Sequence, residues 1–231
     1  MLNIKQLKTS LFDANCYVVW PEGSTQALVV DPGPGTKDRV ERMLEANDLT
    51  LGAILLTHGH FDHVWDAAAV ADIARGDESD AAGRPPVYIP TPDLFWLDDP
   101  ERTVGLPLAH LGLRGWRKPT SVTPIEELEW QPVPNVTLRM VPAPGHSPGS
   151  AIYLIGAEGL TEPLAFAGDV IFQGSIGRTD LPGGDTEEMD ESLRTLAAAL
   201  NPETLLLPGH GPATQWGQEM KSNSYVKRAL R

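Results

Sequence analysis

T-H-G-H-F-D-H, residues 57–63, places three histidines and an aspartate within seven positions of a 231-residue chain that has six histidines in all. The preceding run AILLT, 53–57, is short, largely apolar and β-branched at Ile54 and Thr57, and reads as a buried strand that leads straight into the cluster. If the backbone stays extended past Thr57, side chains alternate, so His58 and His60 face the same side. Asp62 and His63 then turn onto the start of an alanine-rich helix that Asp62 can cap and that is expected to run to about Arg75. Imidazole nitrogen and carboxylate oxygen together suit Zn²⁺, Fe or Mn²⁺. Four potential ligands in six positions exceed what one ion takes from one short loop, which predicts two ions held close together. The bland alternative is a histidine-rich surface loop. It is disfavoured because a dense His/Asp cluster at the carboxyl end of a strand, where α/β proteins place chemistry, has few structural uses.

Three further candidates follow a glycine at or just past a predicted strand end: His146 in A-P-G-H-S-P-G-S, Asp169 in A-G-D, and His210 in L-P-G-H-G-P. Each alone has an equally good structural reading. Together they put five of the six histidines at loop tips, and glycine lets such loops converge. His110 is left without a role. Around these sites, LNIKQLK, CYVVW and ALVVD read as early strands, and VTLRMV, AIYLI, PLAFAGD and ETLLLPGH as later ones. Helices are expected between Thr36 and Asn47, from Thr186 to Leu200 with Asp185 and Glu188 as a capping pattern, and across 214–230. Residues 75–86 form a polar breaker, and the span 75–135 is expected to be an irregular insertion in a single domain covering 1–231. Strands, a helix, more strands and a helix fit two sheets between helix layers.

A net charge of −13 leaves no basic face for nucleic acid. The lone Cys16 cannot form an internal disulfide, the N-terminal residues do not resemble a signal peptide, and no apolar run has membrane-spanning length. The expectation is a cytoplasmic protein with no nucleic-acid or membrane partner, either a monomer or a homodimer.

H-x-H-x-D-H, a later histidine, G-D and a final G-H together resemble the metallo-β-lactamase fold superfamily over nearly the whole chain, from VVDPGPG to PGHGP. The stretch AGDVIFQGSIGRTDLPGGD, 167–185, is similar to short bacterial glyoxalase II-like hydroxyacyl-thioester hydrolases. The resemblance implies an α/β fold: an αββα sandwich of two mixed β-sheets flanked by helices, with the site at one edge. It assigns His58, His60 and His146 to one metal and Asp62, His63 and His210 to a second, with Asp169 bridging. The cofactor it implies is a pair of divalent ions, Zn²⁺ foremost, with Fe or Mn as alternatives. Short members of this kind lack the C-terminal helical domain of longer glyoxalase II proteins, which leaves the thiol part of the substrate open.

The activity so implied is hydrolysis of a small-molecule, hydroxyacylglutathione-like thioester by a hydroxide bridging the two ions. Asp62 and Asp169 would balance the metal charge and orient that nucleophile. A thiolate leaves without a strong general acid, free thiols having pKa values of about 8.5. Arg178 is the candidate for substrate binding, since a guanidinium suits a carboxylate; a structural ion pair with Asp180 or Asp185 is the alternative. Ser175 and Gly177 are lesser candidates. Asp31 is read either as a carboxylate behind a ligand histidine or as a turn residue of D-P-G. Leu94, Phe95, Trp96 and Trp116 are read as core packing or as a lid or dimer contact, and Trp65 as packed inward or at the pocket rim. The rival activities are a mononuclear iron persulfide dioxygenase using His58, His146 and Asp169, and a lactonase.

Overall fold

The computed structural model describes residues 1–75, 83–126 and 128–231. One sheet contains β1 (Leu2–Lys8), β2 (Asn15–Pro21), β3 (Gln26–Val30), β4 (Thr50–Leu55), β5 (Val87–Pro90) and β6 (Val122–Ile125), paired in that spatial order. The second contains β7 (Glu129–Val133), β8 (Val136–Pro142), β9 (Ala151–Ala157) and β10 (Leu164–Gly168). A small hairpin, β11 (Ile171–Phe172) and β12 (Ser175–Ile176), precedes β13 (Leu205–Pro208) and β14 (Thr214–Gln215), which complete the second sheet in the order β14-β13-β10-β9-β8-β7. Both sheets are mixed: β3, β4, β5 and β6 run parallel, as do β10 and β13, and the other pairs are antiparallel.

Side-chain alternation builds the layers. In β2, Tyr17 and Val19 point into the space between the sheets, where they meet Leu138, Tyr153 and Phe166 of the other sheet. Cys16, Val18 and Trp20 point the opposite way, into a second core with α1 (Lys37–Ala46) and the pair α2 (Phe61–Val64) and α3 (Ala67–Ala71). In β10, Leu164 and Phe166 face inward, while Ala165 and Ala167 face a third core with α4 (Thr186–Ala199) and α6 (Ser224–Ala229). Three apolar interfaces between four layers make the αββα sandwich. Each large aliphatic or aromatic side chain buried in them contributes about 1.5–3 kcal/mol.

Most predicted elements are present, with instructive differences. β4 ends at Leu55, so Thr57 and His58 lie in the loop beyond it. The helix after the histidine cluster is broken, with α2 and α3 followed by a tight 3-10 turn at Asp72–Arg75. Its N-cap is His60, and Asp62 lies within the first turn, because the carboxylate is turned toward the histidines. Asp185 caps α4, accepting from the Glu187 and Glu188 amides. The closing segment is β14 followed by two helices, α5 (Trp216–Ser222) and α6, separated where Asn223 caps the second. The polar stretch 75–86 falls largely on 76–82, outside the described residues. The remainder of 75–135 is less irregular than its composition suggests. It supplies β5, β6 and edge strand β7, joined through 3-10 turns at Thr91–Asp98, Pro100–Thr103 and Leu108–Leu111. Among the described residues, no helix is long and apolar enough to cross a membrane.

Candidate metal centre

Parallel neighbours end on the same side, and the site exploits this twice. The chain leaves β3 at Asp31 and β4 just before Thr57. It leaves β10 at Asp169, and β13 at Gly209 and His210. The loop between β8 and β9 brings His146 to the same edge. All seven candidate ligands therefore converge there, drawn from both sheets.

Among the described residues three groups have ligand atoms within 4.8 Å of one another: His58, His60 and His146; Asp62, His63 and His210; and Asp31, His58 and His63, which overlaps both. Asp169 lies between the first two. Its Oδ1 is 3.4 Å from His63 Nε2, and its Oδ2 is 3.5 Å from His146 Nε2 and 3.4 Å from His210 Nε2. Asp62 Oδ2 is 3.3 Å from His210 Nε2. The rings crowd together, with the His58 and His63 centroids 4.4 Å apart and those of His60 and His146 also 4.4 Å apart.

The outer nitrogens explain how the rings are aimed. His146 Nδ1 donates to the Arg178 carbonyl at 2.8 Å, and His210 Nδ1 donates to the Phe12 carbonyl at 3.1 Å. A carbonyl can only accept, so in the neutral rings the proton sits on Nδ1 and Nε2 presents a lone pair to the centre. His63 Nδ1 lies 3.1 Å from Asp31 Oδ2, and His58 Nδ1 lies 3.0 Å from Thr57 Oγ1. Asp31 thus stands behind a candidate ligand histidine. It also accepts from the Thr57 amide and hydroxyl, both at 2.7 Å. Its backbone is left-handed, φ 51°, a strained state for a non-glycine residue that is held by these bonds.

Facing inward, the Nε2 atoms of His58, His60 and His146 and Oδ1 of Asp169 are buried without a hydrogen-bond partner. Buried polar atoms are normally paired, so three lone pairs and a carboxylate oxygen aimed at common points fit cations. The charge balance agrees. Burial, and then the neighbouring His63, hold His58 well below the usual imidazole range. Burial and His146 push His60 down to about 3. Burial acts on His63 and His210 too, but Asp169 and Asp62 outweigh it, raising His63 well above its ordinary value and His210 to about 9. Burial opposes ionisation of Asp169, but the adjacent His63 and His210 hold it well below the carboxylate range.

Asp93, which sequence reasoning passed over, ties the first triad together. It is wholly buried. Its Oδ2 accepts from the Gly59 amide at 2.8 Å and the Ser147 hydroxyl at 2.6 Å, and its Oδ1 accepts from the Gly149 amide at 2.6 Å. It thereby clamps the His58–His60 loop to the His146 loop, and burial raises its pKa despite these donors. Asn15 does the same for His210, donating to the carbonyls of Pro208 and Gly211 at 2.8 and 2.9 Å.

A cavity of about 690 Å³ opens over His60, Asp62, His146, Asp169 and His210. Ser175 and Arg178, two of the substrate-contact candidates, are among its lining residues. The Arg178 guanidinium, however, is engaged in a bidentate pair with Asp180, at 2.7 and 2.8 Å, on an exposed surface. Gly177 does not line the cavity. It packs so closely on the Asp169 carbonyl that any side chain would overlap it, so its place is steric. Trp96 is buried and Trp116 half-buried, both in ordinary packing, whereas Phe95 is exposed. Trp65 stacks near Trp116 at 5.5 Å, away from this cavity. His110 is exposed and takes no part.

Comparison with known proteins agrees with this geometry. The family model described as Metallo-beta-lactamase superfamily matches residues 9–210. The chain is 33% identical to Hydroxyacylglutathione hydrolase GloC of Haemophilus influenzae, over 97% of this chain and 98% of that protein. Among solved structures, the BLEG-1 B3 metallo-beta-lactamase superposes with a TM-score of 0.79 at 33% identity, covering 97% of this chain and 99% of that one. The di-iron-bound form of TTHA1623 superposes with a TM-score of 0.75 at 31% identity, covering 96% and 99%.

Proposed function

Because the chain belongs to the metallo-beta-lactamase superfamily and carries its hydrolase-type His/Asp groups, we propose that it is a thioester hydrolase of glyoxalase II type that uses two divalent ions. The observation that carries this reading is the pair of complete ligand triads with Asp169 between them. His58, His60 and His146 would hold one ion, Asp62, His63 and His210 the other, and Asp169 both. Bound there, the ions supply Lewis acidity and a water acidified to a pKa of about 7. The chain supplies the rest. Carbonyls, Thr57 and Asp31 fix the rings of His58, His63, His146 and His210, so little reorganisation of these is needed during reaction. Asp62 and Asp169 provide negative charge beside the cavity floor and can orient a water through hydrogen bonds. Apolar wall residues limit solvent around a bound thioester carbonyl. A thiolate departs without a dedicated general acid, in keeping with a described lining that offers none beyond the metal centre. The kinship with GloC, named a hydroxyacylglutathione hydrolase, supports a thioester substrate, and the equal kinship with a B3 metallo-beta-lactamase makes a cephalosporin the necessary control.

The test is metal content of purified protein together with thiol release from a thioester panel that includes S-lactoylglutathione. A chromogenic cephalosporin and an ester lactone serve as controls, and oxygen uptake is followed with glutathione persulfide. Two equivalents of metal, thiol release and no oxygen consumption are expected, and Asp169→Ala should lower both metal content and turnover. One iron with oxygen uptake and no thiol release would instead establish the dioxygenase.

A further inference from the structure

We infer that the group bound beside the scissile bond is an uncharged, apolar acyl chain on a small neutral thiol, rather than an anionic glutathione conjugate. The inference rests on the thioester-hydrolase chemistry above and departs from it in the thiol carrier, which it takes to be neutral instead of glutathione.

The cavity of about 690 Å³ falls within the range of small-ligand sites. Setting aside the five metal-centre side chains that reach it, its described lining is almost wholly apolar. The segment joining β5 to β6 contributes Val104, Leu106 and Leu111, and the β11–β12 hairpin with its following loop contributes Phe172, Ile176 and Leu181. Phe12 packs edge-on against Phe61 beside them, with centroids 5.7 Å apart. Phe12 and Leu106 are 55% and 40% exposed, so large apolar groups stand in water at the cavity unless a ligand covers them.

Glutathione brings two carboxylates and an ammonium. Apart from the histidines, Arg178 is the one cation in the described lining, and Asp180 already occupies its guanidinium. That pair is exposed, so releasing Arg178 costs little. Even so, it would match one carboxylate and leave the other, within a chain of net charge −13. Charged groups placed against an apolar wall without partners are disfavoured, and this discriminates more strongly than methylene packing favours. Ser175, the remaining polar side chain, suits one neutral amide or carbonyl. In the reaction, water adds its oxygen to the acyl carbon and the carbon–sulfur bond breaks. The sulfur leaves with the electron pair and takes up a proton, and the carboxylic acid product releases one.

The experiment uses the metal-loaded protein with S-acyl-N-acetylcysteamine thioesters from acetyl to octanoyl, compared with S-lactoylglutathione. Binding of the uncleavable thioethers S-hexyl-N-acetylcysteamine and S-methylglutathione is measured by calorimetry. We expect kcat/KM to rise about three- to fourfold per methylene while the chain is being buried, S-lactoylglutathione to fall below the hexanoyl ester, and the hexyl thioether to bind more tightly than S-methylglutathione. Leu106→Ser, a change at a partly exposed position, should reduce the slope. A flat chain-length profile, or S-lactoylglutathione as the better substrate, overturns the inference and leaves the thioesterase reading standing. If no thioester is cleaved, the thioesterase reading fails, and the thioether affinities still decide the chemistry of the cavity: tighter binding of S-methylglutathione would refute an apolar ligand.

Discussion

Replacing Gly209 with alanine tests whether the two triads depend on the close approach of β13 to Asp169. Gly209 is pinned on both sides: its amide donates to the Gly168 carbonyl at 2.7 Å, and its carbonyl accepts from the Asn15 amide at 2.6 Å. Its φ lies outside the left-handed region, so alanine meets no backbone penalty and the effect is purely steric. A methyl group there would overlap Asp169 Oδ1 and lie 2.8 Å from His63 Cε1. Carbon atoms pack at about 3.5–4.0 Å, so His63 must retreat by roughly 0.7 Å or more, and Asp169 by more than that. Metal–ligand distances tolerate only about 0.2 Å, and misplacement of about 1 Å costs on the order of a hundredfold in rate. The expected result is at least about a hundredfold loss of kcat/KM on the preferred thioester, with bound metal falling below two equivalents after dialysis against a fixed free-metal buffer. Overpacking of about 1–3 kcal/mol should lower Tm by roughly 2–12 °C. Two equivalents of metal with kcat/KM within about threefold of wild type would refute the steric argument and with it the bridging position of Asp169.

In metal-free protein, carboxylates hold His63 well above its ordinary pKa and His210 at about 9, while burial holds His58 well down and His60 at about 3. Loading the Asp62/His63/His210 triad at pH 7 should therefore release up to about two protons, with apparent affinity rising toward pH 9; calorimetry in buffers of different ionisation enthalpy measures this, and fewer than one proton over both equivalents would contradict it. For stability the sign is fixed by a folded pKa above the unfolded value of about 6.5. The His210 contribution is complete below about pH 6.5 and is lost as pH rises through about 9, so Tm of the metal-free protein should fall over that interval. Asp93→Asn turns an amide NH₂ toward at least one of three donors and should cost about 1–3 kcal/mol, seen as a lowered denaturant midpoint at unchanged m-value. Asp31→Asn weakens the hold on His63 Nδ1 and should reduce affinity for one of the two ions about 10- to 100-fold, read by competition with a chromophoric chelator.

The sequence made the candidate ligands readable because metal chemistry leaves a dense local mark, and the structure brings them together. Three histidines and an aspartate in seven positions have few other uses, and Gly145, Gly168 and Gly209 flag the loops that must come close. Strands β2, β3, β4 and β10 were legible through their apolar runs, and β1 and β8 through alternation. What escaped was set by non-local packing. The break between α2 and α3 has no proline or glycine to announce it, and the short strands β5, β6 and β7 are hidden among prolines because each has a neighbour strand to order it. Asp93 stands in T-P-D, an ordinary turn sequence; its three donors come from residues 34, 54 and 56 positions away, and no local pattern encodes them. Arg178 was read for its charge, yet its contribution at the centre is a carbonyl, a group that every residue has.

The candidate metal centre is assembled by hydrogen bonds that cross between the sheets, and this bears on how much it must rearrange to take up a cation. His58, His60, Asp62 and His63 follow the first sheet; His146, Asp169 and His210 belong to the second. Asp93 reaches from the first to the Gly149 and Ser147 side, Asn15 and Tyr17 reach to the Pro208 carbonyl, and Phe12 holds His210. These ties hold the inward-facing nitrogens of both sheets at one place. A loop that could relax would turn such nitrogens toward water. The clamps prevent it, so cation binding needs little rearrangement. The same rigidity fixes the spacing of the two triads, which is why a single methyl group at Gly209 is expected to be felt at both.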